Sequence, residues 1–345
     1  MGVPGRILPL IVALGVLGAA CVQGSADTTV TPDAIESSNP ARPSPPSGVV
    51  EEQSVEPPHP VSLPALMEKR YNGRNLRIRR ELGRNDAYVR HLVTYRSGKL
   101  TISGLMNVPH GDGPFPVIVL NHGYIDPEVY TTGRGFERSQ DFLPRNGFAI
   151  LHIDYRNHAG SDDDPENGVK LRLGYTEDAI NAVLAVKESS LPFLDRERVG
   201  MLGRSMGGGV ALNVAVVRPD IVDAMVIFSS VSSDTVDNFN KWIRRRAALA
   251  REIISTYGSP KENPEFWRKA SPRTFFDRVT VPMLIHQGTV DDTTPPRWAR
   301  ATVRVLRNHD APVRFRTYDG EGHAFGTSAY LSAMRRTAAF FERNL

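Results

Sequence analysis

The 345 residues hold one cysteine, Cys21. A lone thiol can neither close a disulfide within the chain nor build a cysteine-based metal site. Long apolar runs are also lacking. The one of note, residues 7–20, falls short of the roughly 20 residues that a membrane-spanning helix needs. No H-E-x-x-H is present, so metal-dependent hydrolysis has no support. The acidic run Asp162-Asp163-Asp164 lacks the ligand spacing of a calcium loop and reads as a solvated loop. Net charge is only +4, with a pI near 9.2. No arginine-rich helix or aromatic–basic interleaving points to nucleic acid. Internal repeats are absent, and no cofactor motif occurs. Length and composition are those of a globular protein, 40% hydrophobic and 23% charged.

What is present begins with Arg6, the apolar run 7–20 and the small residues Gly18-Ala19-Ala20, the pattern of a secretory signal. Leu17-Gly18-Ala19-Ala20-Cys21 resembles a bacterial lipobox. That resemblance implies lipidation of Cys21 and a lipid anchor in the cell envelope; ordinary cleavage to a secreted or periplasmic protein is the alternative. Residues 21–60 follow, rich in Pro and Ser, with Asp27, Asp33, Glu36, Glu51, Glu52 and Glu56 against Arg42. Such a stretch buries too little apolar surface to offset its ordering entropy, so it is expected to be an extended tether.

From residue 61 to 345 the chain reads as one domain. Residues 88–95 and 100–108 alternate as antiparallel strands about a Ser97-Gly98 turn. Residues 116–121, 148–154, 198–203, 224–228 and 282–286 are short continuous apolar runs, the type buried on both faces of a sheet. Residues 313–318 alternate again as a last strand. Helical patterns fall between them, at 135–146, 175–189, 206–218, 296–308 and 329–344. This alternation predicts an α/β fold, a mostly parallel sheet with helices on both faces and ligands bound beyond the carboxyl ends of the strands. Residues 231–280 interrupt the rhythm with a connection far longer than usual. They carry a basic helix-prone stretch and then Phe266, Trp267, Phe275 and Phe276, and they read as a helical cap over the site.

The strongest local signal is Gly203-Arg204-Ser205-Met206-Gly207, followed by Gly208 and Gly209. A buried-type strand before it and a helix after it give the context of a G-x-S-x-G elbow, with Ser205 as nucleophile. Serine needs a base to take its proton. His309 and His323 lie beyond the last buried strand; His323 sits in a glycine-flanked loop after residues 313–318 and is the expected base, whereas His309 ends a polar helix. The acid should follow residues 282–286, where Asp291 and Asp292 are adjacent. Spacing from Gly288 favours Asp291 by resemblance to a family pattern, G-x-x-D-x-x-V-P, in which Thr294 stands in place of the valine; Asp292 is left to cap the next helix or bond the loop. Met206 N–H is the first expected oxyanion donor. The loop Asn121-His122-Gly123-Tyr124 should supply the second through Tyr124 N–H, with His122 structural.

With these pieces in place, the chain from about residue 88 onward resembles the α/β-hydrolase superfamily and, within it, the prolyl oligopeptidase catalytic domain. The matching segments are N-H-G-Y (121–124), D-Y-R (154–156), G-R-S-M-G-G-G (203–209), H-Q-G-T-V-D-D (286–292) and G-E-G-H-A-F (320–325). The resemblance implies an α/β-hydrolase fold and a serine hydrolase, a peptidase or a carboxylesterase, with Ser205, Asp291 and His323 as its triad and no cofactor or metal. Classical members carry an amino-terminal β-propeller, for which the residues ahead of the hydrolase region leave no room. The expected substrate is therefore a small ester or a short peptide. A cofactor-free perhydrolase on the same triad and a non-catalytic binding lipoprotein are the competing readings, and oligomeric state is open.

Overall fold

The computed structural model describes residues 56–345. The signal segment, Cys21 and tether residues 21–55 lie outside the described residues. The tether was expected to run to residue 60, but His59 already packs edge-on against Tyr257 and Phe266, with ring centroids 5.5 and 5.2 Å away. Ordered packing thus begins slightly before the expected boundary.

Nine strands build one sheet: β1 (Arg74–Arg84), β2 (Tyr88–Ser97), β3 (Leu100–Pro109), β4 (Phe115–Asn121), β5 (Ala149–Ile153), β6 (Leu194–Arg204), β7 (Ala224–Phe228), β8 (Met283–Gly288) and β9 (Val313–Tyr318). Their order across the sheet is β1-β2-β3-β5-β4-β6-β7-β8-β9. The β1–β2, β2–β3 and β3–β5 pairings are antiparallel, and every pairing from β5 to β9 is parallel. The apolar runs explain this division. β5, β7 and β8 are buried along their whole length, as parallel strands covered on both faces must be. Strand β4 pairs with β5 on one side and β6 on the other, so the chain order reverses there. A crevice opens at such a reversal, beyond the carboxyl ends of the strands.

Helices cover both faces. On one face, α2 (Glu137–Arg145) and α9 (Thr327–Asn344) lay Leu143, Met334, Phe340 and Phe341 against Ile118, Leu120 and Leu202. On the other lie α1 (Leu63–Glu68), α3 (Gly174–Lys187), α4 (Met206–Val217) and, after the insertion, α8 (Pro296–Asn308). Nine of the twelve residues of α4 are buried, which is why it is apolar nearly all round.

Between β7 and β8 the insertion forms α5 (Thr235–Asn238), a π-helical turn (Phe239–Ile243), α6 (Ala247–Tyr257), α7 (Pro264–Lys269) and a 3₁₀ stretch (Pro272–Arg278). Phe239, Ile253, Phe266, Trp267 and Phe276 are buried in the same cluster as α3 and α4. The cap is thus an extension of the main core, and its aromatic residues anchor it there.

Strand β1 and helix α1 were not anticipated. The β1 sequence carries Arg74, Arg77, Arg79, Arg80 and Arg84 and is almost wholly exposed, so it shows no apolar alternation to read. It becomes a strand by pairing with β2, with register shifts along the ladder. Charged side chains on such an outer strand oppose further strand addition.

Arg156, from the D-Y-R segment after β5, is buried. Its guanidinium meets Asp178 at 2.9 Å, Asp164 at 3.0 Å and Glu177 at 3.2 Å. Burial opposes its charge, yet Asp178 and Glu177 outweigh that and raise its pKa. This network ties the loop after β5 to the first turns of α3. Arg156→Met is expected to lower unfolding free energy by about 3–5 kcal/mol in urea titrations, because Asp178 is left buried and unpaired. A loss below about 1 kcal/mol would place the pair among solvent-screened ones.

Candidate active site

The sheet delivers three sequence-predicted residues to neighbouring strand ends. Ser205 follows β6, Asp291 follows β8 and His323 follows β9, while β7 lies between β6 and β8. The loop of His323 is tied to the elbow by Arg204, whose Nη2 donates to His323 O at 3.2 Å.

Ser205 has φ 56° and ψ −119°, a backbone conformation that a residue with a side chain adopts only under strain. Two glycines make the turn possible. A Cβ on Gly203 would lie 2.3 Å from Gly207 O, and one on Gly207 would lie 1.8 Å from Asn121 O. The elbow is therefore pressed between its own helix and the end of β4. Met206 opens α4, so its N–H has no acceptor within the helix. Gly123 faces the elbow closely; a Cβ there would sit 3.1 Å from Ser205 Cβ. Tyr124 comes next in that loop. Among the described residues no protein acceptor bonds the Tyr124 N–H.

His323 Nδ1 lies 3.0 Å from Asp291 Oδ2. Among the described residues neither His323 Nε2 nor Ser205 Oγ has a hydrogen-bond partner, and the two are not bonded to each other. Asp291 is 2% exposed and densely bonded. Its Oδ1 accepts from Thr293 N at 2.9 Å and Thr294 N at 2.8 Å. Its Oδ2 also receives Gln287 Nε2 at 3.1 Å. Thr294 Oγ1 lies 2.7 Å from Asp291 Oδ2 and 3.0 Å from Ser229 O, and its one proton serves one of them. Burial raises the Asp291 pKa, but His323 and Thr294 outweigh burial and hold it at about 2. Asp292 is exposed; among the described residues its carboxylate accepts only from Thr293 Oγ1 at 3.3 Å, and its main-chain oxygen accepts from Lys241 Nζ at 2.9 Å. The loop bonds expected of Asp292 are thus made by Asp291 itself, and α8 carries no side-chain cap.

His122 is fully buried beneath the Gly123–Tyr124 loop. Its Nδ1 is 2.7 Å from Gly123 O and its Nε2 3.2 Å from Asp154 O. Burial first, and His158 second, push its pKa down to about 4, so it is neutral near pH 7. It stacks on Tyr130 at 4.7 Å, and Tyr130 Oη donates to the buried Asp154 at 2.8 Å. This is a rigid support for the loop, with His122 among its parts. His309 is exposed at the end of α8, ahead of the amino end of β9, whereas Ser205, Asp291 and His323 follow the carboxyl ends of their strands.

Sequence reasoning missed Thr294 and Gln287, which ligate the carboxylate, and Arg172 and Arg246, which flank Tyr124. The threonine stood where the motif has valine, and only the fold turns its hydroxyl toward Asp291. The arginines come from segments that no motif singles out.

Among curated proteins, the chain is 25% identical over 251 residues to dipeptidyl aminopeptidase BIII of Pseudoxanthomonas mexicana, covering 70% of this chain and 34% of that protein. It is 33% identical over 139 residues to human acyl-coenzyme A thioesterase 1, covering 40% of this chain and 29% of the thioesterase. The chain thus spans about a third of the length of these relatives. Among solved structures, acetyl xylan esterase 1 from Thermoanaerobacterium sp. JW/SL YS485 superposes with a TM-score of 0.62 at 17% identity, over 77% of this chain and 88% of the esterase. The acylaminoacyl peptidase of Pyrococcus horikoshii gives 0.62 at 21% identity, over 76% and 42%. At these identities the structures speak for the fold, that of α/β hydrolases. The prolyl oligopeptidase family model matches residues 134–345, which carry Ser205, Asp291 and His323. With that match running through more than half of the chain, the protein belongs to the prolyl oligopeptidase family.

Proposed function

We propose that the protein is a serine hydrolase that cleaves carboxylic ester or amide bonds by acyl transfer. Ser205 Oγ attacks the carbonyl carbon while His323 Nε2 takes its proton. Asp291 accepts from Nδ1–H and so holds the imidazole in the tautomer that leaves Nε2 basic. The N–H groups of Met206 and Tyr124 receive the oxyanion. His323 then returns the proton to the leaving alcohol or amine, and water, activated by the same nitrogen, releases the acyl group from Ser205.

The observation that carries this reading is the strained Ser205 on its elbow, one strand away from a densely bonded Asp291–His323 pair. The family match supports the class of chemistry. Esters and small acylated amines are the favoured substrates within it.

The test is labelling of the folded protein with a fluorophosphonate, alongside turnover of short-chain nitrophenyl esters and aminoacyl nitroanilides. Stoichiometric labelling with esters turned over faster than anilides is the expected result. Faster anilide turnover would make it a peptidase. A folded protein that neither labels nor turns over any substrate would remove the catalytic reading.

A further inference from the structure

Tyr124, the residue proposed to hold the oxyanion, is flanked by two guanidinium groups. Arg172 lies 4.7 Å and Arg246 4.8 Å from the centre of its ring. Arg246 Nη2 also donates to Tyr124 Oη at 2.6 Å. Arg172 Nη1 reaches Met206 Sδ at 3.7 Å, so it borders the other proposed oxyanion donor as well. Two cations therefore converge on the residues next to Ser205.

They arrive from unrelated parts of the chain. Arg172 precedes α3, and Arg246 follows the π-helical turn of the insertion. Gly168 and Leu249 bring the two segments into contact, with a Cβ on Gly168 falling 3.7 Å from Leu249 Cδ1. The backbone at Arg172 is held at some cost. Leu171 and Arg172 have φ of 53° and 59°, a left-handed region that costs such residues on the order of 1 kcal/mol or more each.

Neither guanidinium has an acidic partner among the described residues. Arg172 bonds only the Met206 sulfur, and Arg246 only the Tyr124 hydroxyl. Arg156, by contrast, meets three carboxylates. Burial first depresses the Arg172 pKa, with Arg246 adding to it; Tyr175 and Tyr124 oppose them in part, and no carboxylate does. A half-buried cation beside a second cation, with no counterion, is an arrangement that a fold retains at a cost. A ligand anion would relieve it.

We propose that Arg172 and Arg246 form an anion-binding subsite beside Ser205, so that the preferred substrate carries a carboxylate or phosphate near its scissile ester or amide bond. This rests on the serine hydrolase reading. Two planar guanidiniums suit either oxyanion through charge-assisted, bidentate hydrogen bonds. Their cation–π attraction to Tyr124 fixes the ring meanwhile and leaves their remaining N–H groups to the ligand.

The experiment compares matched substrates within one enzyme sample, so that differences in active fraction cancel. One pair sets the monoethyl esters of succinic, glutaric and adipic acid against length-matched ethyl alkanoates. The other sets 2-phosphonooxyethyl acetate against the phosphate-free 2-methoxyethyl acetate. Wild-type protein should favour the anionic member of one pair in kcat/KM by about tenfold or more, the scale of a charge-assisted contact. The responding pair tells carboxylate from phosphate. Arg172→Gln or Arg246→Gln should shrink that ratio to within about twofold. If the arginines only brace Tyr124, both members of a pair fall together and the ratio persists, which overturns the proposal. Ratios near one in both pairs for wild-type protein overturn it too, without needing a variant. Labelling by fluorophosphonate with ratios near one would remove the subsite alone. Absence of labelling and of all turnover would remove the hydrolase reading and this inference with it.

Discussion

Ser205→Ala is expected to lower kcat for any turned-over ester by about 10⁴- to 10⁶-fold and to abolish fluorophosphonate labelling. The loss is large because nucleophile and base act as one unit. Without Oγ the His323 proton transfer has no substrate, and the acyl-enzyme route closes. Residual rate above water would come from the oxyanion donors and from binding alone. The variant should fold, since Ser205 Oγ makes no hydrogen bond among the described residues and the elbow is held by main-chain contacts, Ser205 N to Phe228 O at 3.0 Å among them. Denaturation midpoints of the two proteins should therefore agree. Labelling that survives the substitution would move the nucleophile elsewhere.

Asp291→Asn is expected to cost about 10⁴-fold in kcat, whereas Asp292→Asn should leave kcat within about threefold, because the Asp292 side chain is exposed and bonds only Thr293 among the described residues. The asparagine amide would present a donor or a weaker acceptor to His323 Nδ1 and favour the tautomer with Nε2 protonated. The pair of variants separates two adjacent carboxylates that spacing alone could rank but not resolve. The pH profile offers a further check on the same group. With its pKa held at about 2, Asp291 stays ionised through the working range, so kcat/KM should show no step near pH 4. Its folded pKa lies below the ordinary value. Its contribution to stability is therefore present above about pH 4 and is lost as pH falls toward 2. Equal losses in Asp291→Asn and Asp292→Asn would show that neither carboxylate orients the imidazole.

Much of this was legible because parallel sheets write themselves into sequence. β4, β5, β7 and β8 are covered on both faces, so each must be a short unbroken apolar run. The glycines around Ser205 were legible for a similar reason, since the close approach of Gly207 to Asn121 O excludes any side chain. Strand β1 was not legible, because its arginines face solvent and, among the described residues, β2 is its only strand partner. Helix α1 is six residues long and has too few positions to show a period. The insertion was legible as an interruption, but its chemistry was not. Phe266 and Trp267 read as part of a cap and prove to be part of the main core.

The sequence by itself determined the alternation of strands and helices from β2 onward outside the insertion, the elbow at Ser205, and the loops that hold Asp291 and His323, since each depends on local pattern and spacing. The tertiary structure alone decided which carboxylate faces the imidazole. It also decided that Thr294 and Gln287 ligate that carboxylate and that Arg172 and Arg246 meet across Tyr124. Those outcomes depend on side chains from distant segments arriving at one place. Only the packing of the insertion and of the loop before α3 against the carboxyl ends of the strands brings them there.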